Sequence, residues 1–171
     1  MIRLAFELNN DTVSVLKADK EYVAFSGDGE NRNNPSSGSI ANSGPIPVGS
    51  YYIVDRESGG MMGKLKDKTL HRDQWFVLYR DDDSIDDETF VSSVKRGQFR
   101  LHPLGPRRMS TGCIVLQFPE RFPDLRGYLL SQPAEKIPNT GIRTYGMVDV
   151  NGPKIDILDP RYRRGGGSGM G

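Results

Sequence analysis

One thiol and two imidazoles make up the soft-nucleophile inventory of this chain: Cys113, His71 and His102. Two of the three stand eleven residues apart in RLHPLGPRRMSTGCIVLQF, residues 100 to 118. A free thiol has a pKa of about 8.5 and attacks poorly until it loses its proton, which a neighbouring imidazole can take. That pairing is the chemistry of cysteine acyl transfer. Gly112 lets the backbone approach a substrate closely, and the amides of Gly112 and Cys113 could point at a developing oxyanion. Arg107 and Arg108 add positive charge, which favours thiolate and can grip a substrate carboxylate through paired hydrogen bonds. An inert reading fits the same residues. Free cysteine is among the most buried residue types, and Cys113 is followed by Ile-Val-Leu. Spacing alone leaves both readings open.

For the pair to meet, His102 must end one strand and Cys113 must open its neighbour, with PLGPRRMSTG folding back between them. The surrounding pattern predicts such strands. Ile2, Leu4, Phe6 and Leu8 alternate onto one face, Asn9-Asn10-Asp11 turns, and Val13 and Val15 resume the alternation as a hairpin. Further strands are expected at 21–26, within 44–55, at 74–79, 99–101, 113–118 and 144–150. Phe122, Leu125 and Leu129 predict a short amphipathic helix within 119–131, with Pro123 in its first turn. Residues 27–43 read as a long polar loop, a length that is often functional. Residues 56–73 are also loop-like. The sum is a mainly β domain over 1–160, with 161–171 a flexible tail.

Bulk properties narrow the function. A length of 171 residues suits one core, and 23 basic against 22 acidic residues provide no basic excess for nucleic acid. A single cysteine cannot form an intramolecular disulfide. No apolar run predicts membrane insertion, and the N-terminus lacks a Sec signal, so synthesis in the cytoplasm is expected.

The motifs SxGC at 110–113, HP at 102–103 and GPIPVGSYYI at 44–53 resemble the L,D-transpeptidase catalytic core. With FSGDGENRNNP at 25–35, the series is most similar to the compact L,D-transpeptidase effectors of type VI secretion. The resemblance covers roughly residues 22–150. It implies a β-sandwich or barrel with a short helix after the catalytic strand. It also implies action on the stem peptides of peptidoglycan. Cys113 would attack the amide before the terminal D-alanine, and His102 would accept the thiol proton, its far nitrogen oriented by a backbone carbonyl. Water resolving the thioester would give L,D-carboxypeptidase activity, and an amine would give exchange or cross-linking. No metal or organic cofactor is implied. The implied partners are peptidoglycan stems, type VI secretion components and a cognate immunity protein, with activity in the periplasm of target bacteria.

Thr111 departs from the pattern, standing where a second His is common. This favours the alternative of a non-catalytic peptidoglycan-binding or interaction module. Ser110 reads equally as a positioner of His102 or substrate and as a turn serine. Arg32 is a candidate substrate contact in the long loop, as is Thr111 beside the thiol. Ser26, Gly27, Asn31 and Asn33 fall in the same loop, Gly27 and Asn33 reading as turn chemistry. His71 reads as a surface residue, and no spacing supports a zinc site. The run DDDSIDDE at 81–88 lacks the glycine of a calcium loop and reads as a solvated loop.

Overall fold

The computed structural model describes residues 1–56 and 72–153. His71 and the tail at 161–171 lie outside the described residues. Alternation of apolar residues drives the main element. Eight strands close into a barrel: β1 (Ile2–Glu7), β2 (Ser14–Lys17), β3 (Glu21–Phe25), β4 (Gly49–Asp55), β5 (Phe76–Arg80), β8 (Arg100–Pro103), β9 (Ile114–Leu116) and β12 (Gly146–Asn151). Their order around the barrel is β1-β12-β4-β5-β8-β9-β3-β2. Closure removes every exposed strand edge from this sheet.

Alternate residues point inward and form one core. Leu4, Phe6, Leu16, Tyr22, Ala24, Tyr51, Ile53, Phe76, Leu78, Leu101, Ile114, Leu116, Val148 and Val150 all belong to it. The helix α1 (Phe122–Leu130) adds Phe122, Leu125 and Leu129 to that core. Among the described residues the fold is mainly β with one short α-helix after the strand following Cys113, which agrees with the expectation, and its closure is that of a barrel.

Two small sheets escaped the sequence reading. The hairpin of β6 (Glu88–Val91) and β7 (Val94–Gly97) turns at Ser92 and Ser93, both with positive φ. Serine is an unusual choice for a turn that normally takes Asn-Gly, so no turn signal marked it. The strands β10 (Glu135–Lys136) and β11 (Arg143–Thr144) pair beside a second apolar cluster of Tyr52, Val54, Ile137 and Met147.

The pair that positions the chemistry is β8 and β9. They run parallel, with Leu101 opposite Ile114 and His102 opposite Val115. Leu101 and Ile114 face the core, so their sequence neighbours face outward. One step earlier in the same register, Arg100 lies beside Cys113. His102, Arg100 and Cys113 therefore share the outer face of this strand pair.

Candidate active site

That face opens on a groove of about 740 Å³ whose lining includes His102, Cys113, Thr111, Arg107, Arg108 and Trp75. Ser110 also borders it, and no carboxylate is among its described lining residues. Cys113 is half-buried. Burial pushes its thiol up. Against this, the backbone N–H of Arg100 donates to the sulfur, and the charges of Arg100 and Arg56 favour the thiolate.

His102 is 9% exposed. Its Nδ1 lies 2.7 Å from the carbonyl of Pro103. A carbonyl can only accept, so Nδ1 carries the proton and Nε2 keeps its lone pair. The backbone carbonyl expected to orient the ring is thus Pro103. Burial holds the imidazole down to about 4, the Pro103 bond raises it slightly, and Arg56 and Arg72 lower it further. At neutral pH the resting site holds a neutral imidazole. A neutral ring can take a proton from a neighbouring thiol.

Trp75 stacks on His102, with ring centroids 4.1 Å apart and planes 17° from parallel. The register explains this contact. Phe76 opposes Leu101 in the antiparallel β5–β8 pair, which places Trp75 across from His102. Arg56 and Arg72 approach the other reaches of the indole, at 5.3 and 5.6 Å from its centroid. Trp75 was not singled out in the sequence. Its signal was being the one tryptophan, directly before a strongly apolar strand.

Ser110 ties the turn before the thiol. Its hydroxyl, 3% exposed, donates to the Cys113 carbonyl at 2.7 Å. It accepts from the amides of Gly112 and Gly27, each at 3.2 Å. It holds backbone, and no bond to His102 is seen. The Gly112 N–H is therefore engaged by Ser110. Gly112 has φ +130°, and a Cβ there would stand 2.7 Å from Arg96 Nη2 and 3.0 Å from the Phe99 ring. Both the dihedral and the space demand glycine.

The long loop is fastened from below. Ser26 Oγ accepts from Ile46 N at 2.8 Å and donates to the Gly112 carbonyl at 3.4 Å. Asn33, fully buried with φ 54°, accepts from Ser26 N and donates to the Asp11 carbonyl. Asn31 bonds Ser43 and Ser37. Arg32 is turned onto the loop: it stacks over Phe25 at 4.1 Å and reaches the Arg108 carbonyl at 3.4 Å. It is thus one layer behind the groove that Arg107 and Arg108 line. Arg107, Arg108 and Thr111 are exposed.

Arg96 is the fastening that sequence reading missed. Its side chain is buried and donates to the carbonyls of Gly38, Gly44, Pro45 and Thr111, at 2.7, 3.0, 3.2 and 3.4 Å. It joins the long loop to the segment just before Cys113. Arg96→Met should cost about 3 kcal/mol, because it orphans these carbonyls together. Urea unfolding checks this, and Arg96→Lys should recover part of the loss.

The acidic run is not wholly solvated. Asp87 clamps Arg100 through two 2.8 Å contacts, and Asp82 accepts from Thr89. Among the described residues no group of three or more His, Cys, Asp or Glu could hold a metal ion. No helix among them is long and apolar enough to cross a membrane.

Comparison with known families finds that the model described as Tlde1 domain matches residues 20–140. That span contains the long loop, the groove, His102 and Cys113. No curated protein and no solved structure matches the chain.

Proposed function

The chain belongs to the Tlde1 domain family, and from that premise and the groove's geometry we propose a cysteine L,D-carboxypeptidase/L,D-transpeptidase acting on tetrapeptide stems. The family lies in the L,D-transpeptidase superfamily and is implicated in peptidoglycan modification and type VI secretion. One observation carries the finer reading: Cys113 and His102 share one face and one groove, with Nδ1 of His102 fixed on Pro103 so that Nε2 is the acceptor.

In this reading Cys113 Sγ attacks the carbonyl carbon of the amide before the terminal D-alanine. The thiol proton passes to Nε2 of His102. The Cys113 amide steadies the oxyanion. The C–N bond then breaks, His102 returns the proton to the departing amine, and the acyl group remains as a thioester on sulfur. Water attacking the thioester releases the shortened stem and restores the thiol. A free D-amino acid gives exchange instead, and another stem's amine gives a cross-link. Arg107 and Arg108, exposed at the rim of a groove with no described carboxylate, suit a carboxylate-bearing peptide. Trimmed or altered stems make poor donors for normal cross-linking. That suits an antibacterial effector acting in the periplasm, whose producer carries an immunity protein that covers this groove.

Incubating purified protein with tetrapeptide stems and weighing the products tests this. Loss of one alanine, or its replacement by a supplied D-amino acid, is the expected outcome. Thr111 at the place of a common His favours the second reading, a wall-binding module without turnover. Unchanged stems with Cys113 reduced would support it. Cleavage of proteins but not stems would instead indicate a thiol peptidase.

A further inference from the structure

One row of side chains crosses the outer face of neighbouring strands. Phe25 on β3 pairs with Val115 on β9, Val115 pairs with His102 on β8, and Trp75, just before β5, stacks on His102. Each end of this row holds cations. At the β3 end Arg32 lies over Phe25 and donates to the Arg108 carbonyl. At the β5 end stands Arg72, its guanidinium 5.6 Å from the centre of the Trp75 indole. Arg72 and Arg108 both line the groove, whereas Arg56, 5.3 Å from the same indole, is not among its described lining residues. The backbone fixes where Arg72 stands. It opens the short 3-10 turn Arg72–Gln74, and its carbonyl accepts from the Trp75 N–H at 3.0 Å. The Gln74 carbonyl accepts from Arg126 of α1 at 3.0 Å, which ties the turn to the helix. Arg72 is half-buried, and among the described residues no ion pair joins it to an acid.

The reaction sets which part of a stem reaches which end. His102 must return its proton to the departing nitrogen, so that nitrogen lies on the His102 side of the sulfur. The terminal alanine then extends towards β5, with its carboxylate on the carbon next to that nitrogen. The acyl part runs the other way, towards β3 and Arg108. A carboxylate leaving the imidazole in the first direction passes Trp75 and meets Arg72, whose planar fork matches it. We infer that Arg72 binds the carboxylate of the stem's terminal alanine, with the Trp75 indole supporting the guanidinium at the β5 end of the groove. Arg72 is thus a specificity-determining residue, selecting stems that end in a free carboxylate over stems that end in an amide. A supplied D-amino acid carries the same carboxylate beside its amine and enters by the same contact. This inference rests on the proposed action on tetrapeptide stems.

Trp75 is the chain's one tryptophan, so its fluorescence reads this end of the groove. The full chain carrying Cys113→Ala is titrated with a tetrapeptide stem and with the same stem ending in D-alaninamide. A hydrogen bond to a charged group is worth roughly 10- to 100-fold in affinity, and the acid should bind tighter by that factor. Adding Arg72→Gln should bring the two affinities within about threefold of each other, chiefly by weakening the acid. Arg72→Lys should keep part of the preference, as a charge without the fork. Arg107→Gln should weaken both ligands alike, because its contact lies on the acyl side. Equal affinities for acid and amide in Cys113→Ala would overturn the inference, as would a folded Arg72→Gln protein that keeps the full preference. Should Arg72→Gln fail to fold, Arg107→Gln decides, since a preference lost there puts the carboxylate at the other end. Wild-type protein that turns over no stem would refute the proposed function and leave this binding ratio readable.

Discussion

Cys113→Ala should fold like the wild type and turn over stems at less than about one-thousandth of its rate. The substitution keeps Cβ and removes only the sulfur, whose polar contacts are a weak 3.8 Å approach to the Gln98 carbonyl and the Arg100 amide. Stability should change little, while the route through a thioester is lost entirely. Product masses from tetrapeptide stems measure the first effect, and unfolding midpoints the second. Directed to the periplasm, the variant should also lose toxicity. Killing that persists in the variant would mean that harm arises by binding, as a non-catalytic module would act.

His102 carries the other large effect, and it is displayed along the pH axis. Removing a positioned general base costs about 10²- to 10⁴-fold, so His102→Gln should fall in that range. Burial under Trp75 holds the ring down to about 4 from its ordinary 6.5. The acid limb of kcat/KM should therefore lie near pH 4 rather than near 6.5. Stability follows the same sign. The unfolded chain takes up a proton on His102 more readily than the folded one. The folded state is thus fully favoured above the unfolded value and loses ground as pH falls toward 4. The loss approaches about 3 kcal/mol once both states are protonated. Urea unfolding between pH 7.5 and 4 should show that loss in the wild type and lack this share of it in His102→Gln. An acid limb at 6.5, or equal slopes for the two proteins, would contradict a base sealed in neutral form.

Much of the barrel was legible because inward and outward residues alternate. Leu4 and Phe6 on β1, or Tyr51 and Ile53 on β4, announce their face by period alone. That Cys113 and His102 would come to one groove was legible because only one thiol and two imidazoles exist, with a reversing segment between two of them. What could not be read depends on register between distant strands. Trp75 meets His102 only because Phe76 pairs with Leu101, and Arg100 meets Cys113 only because Leu101 pairs with Ile114. Local pattern contains neither fact. Arg96 was hidden for a similar reason. Its partners are carbonyls of Gly38, Gly44, Pro45 and Thr111, and a carbonyl has no residue type to recognise. Asp87 was hidden inside a run of acids, where composition suggests solvent and gives no hint of one carboxylate clamping Arg100.

The central claim is that Cys113 becomes acylated by a wall stem. Intact-protein mass spectrometry of the chain, quenched in acid during incubation with tetrapeptide stems, addresses it most directly. The account predicts a transient adduct equal to the stem minus its terminal alanine, mapped to Cys113 and absent from Cys113→Ala. Stem turnover with no adduct on Cys113, or an adduct that survives in Cys113→Ala, would contradict it.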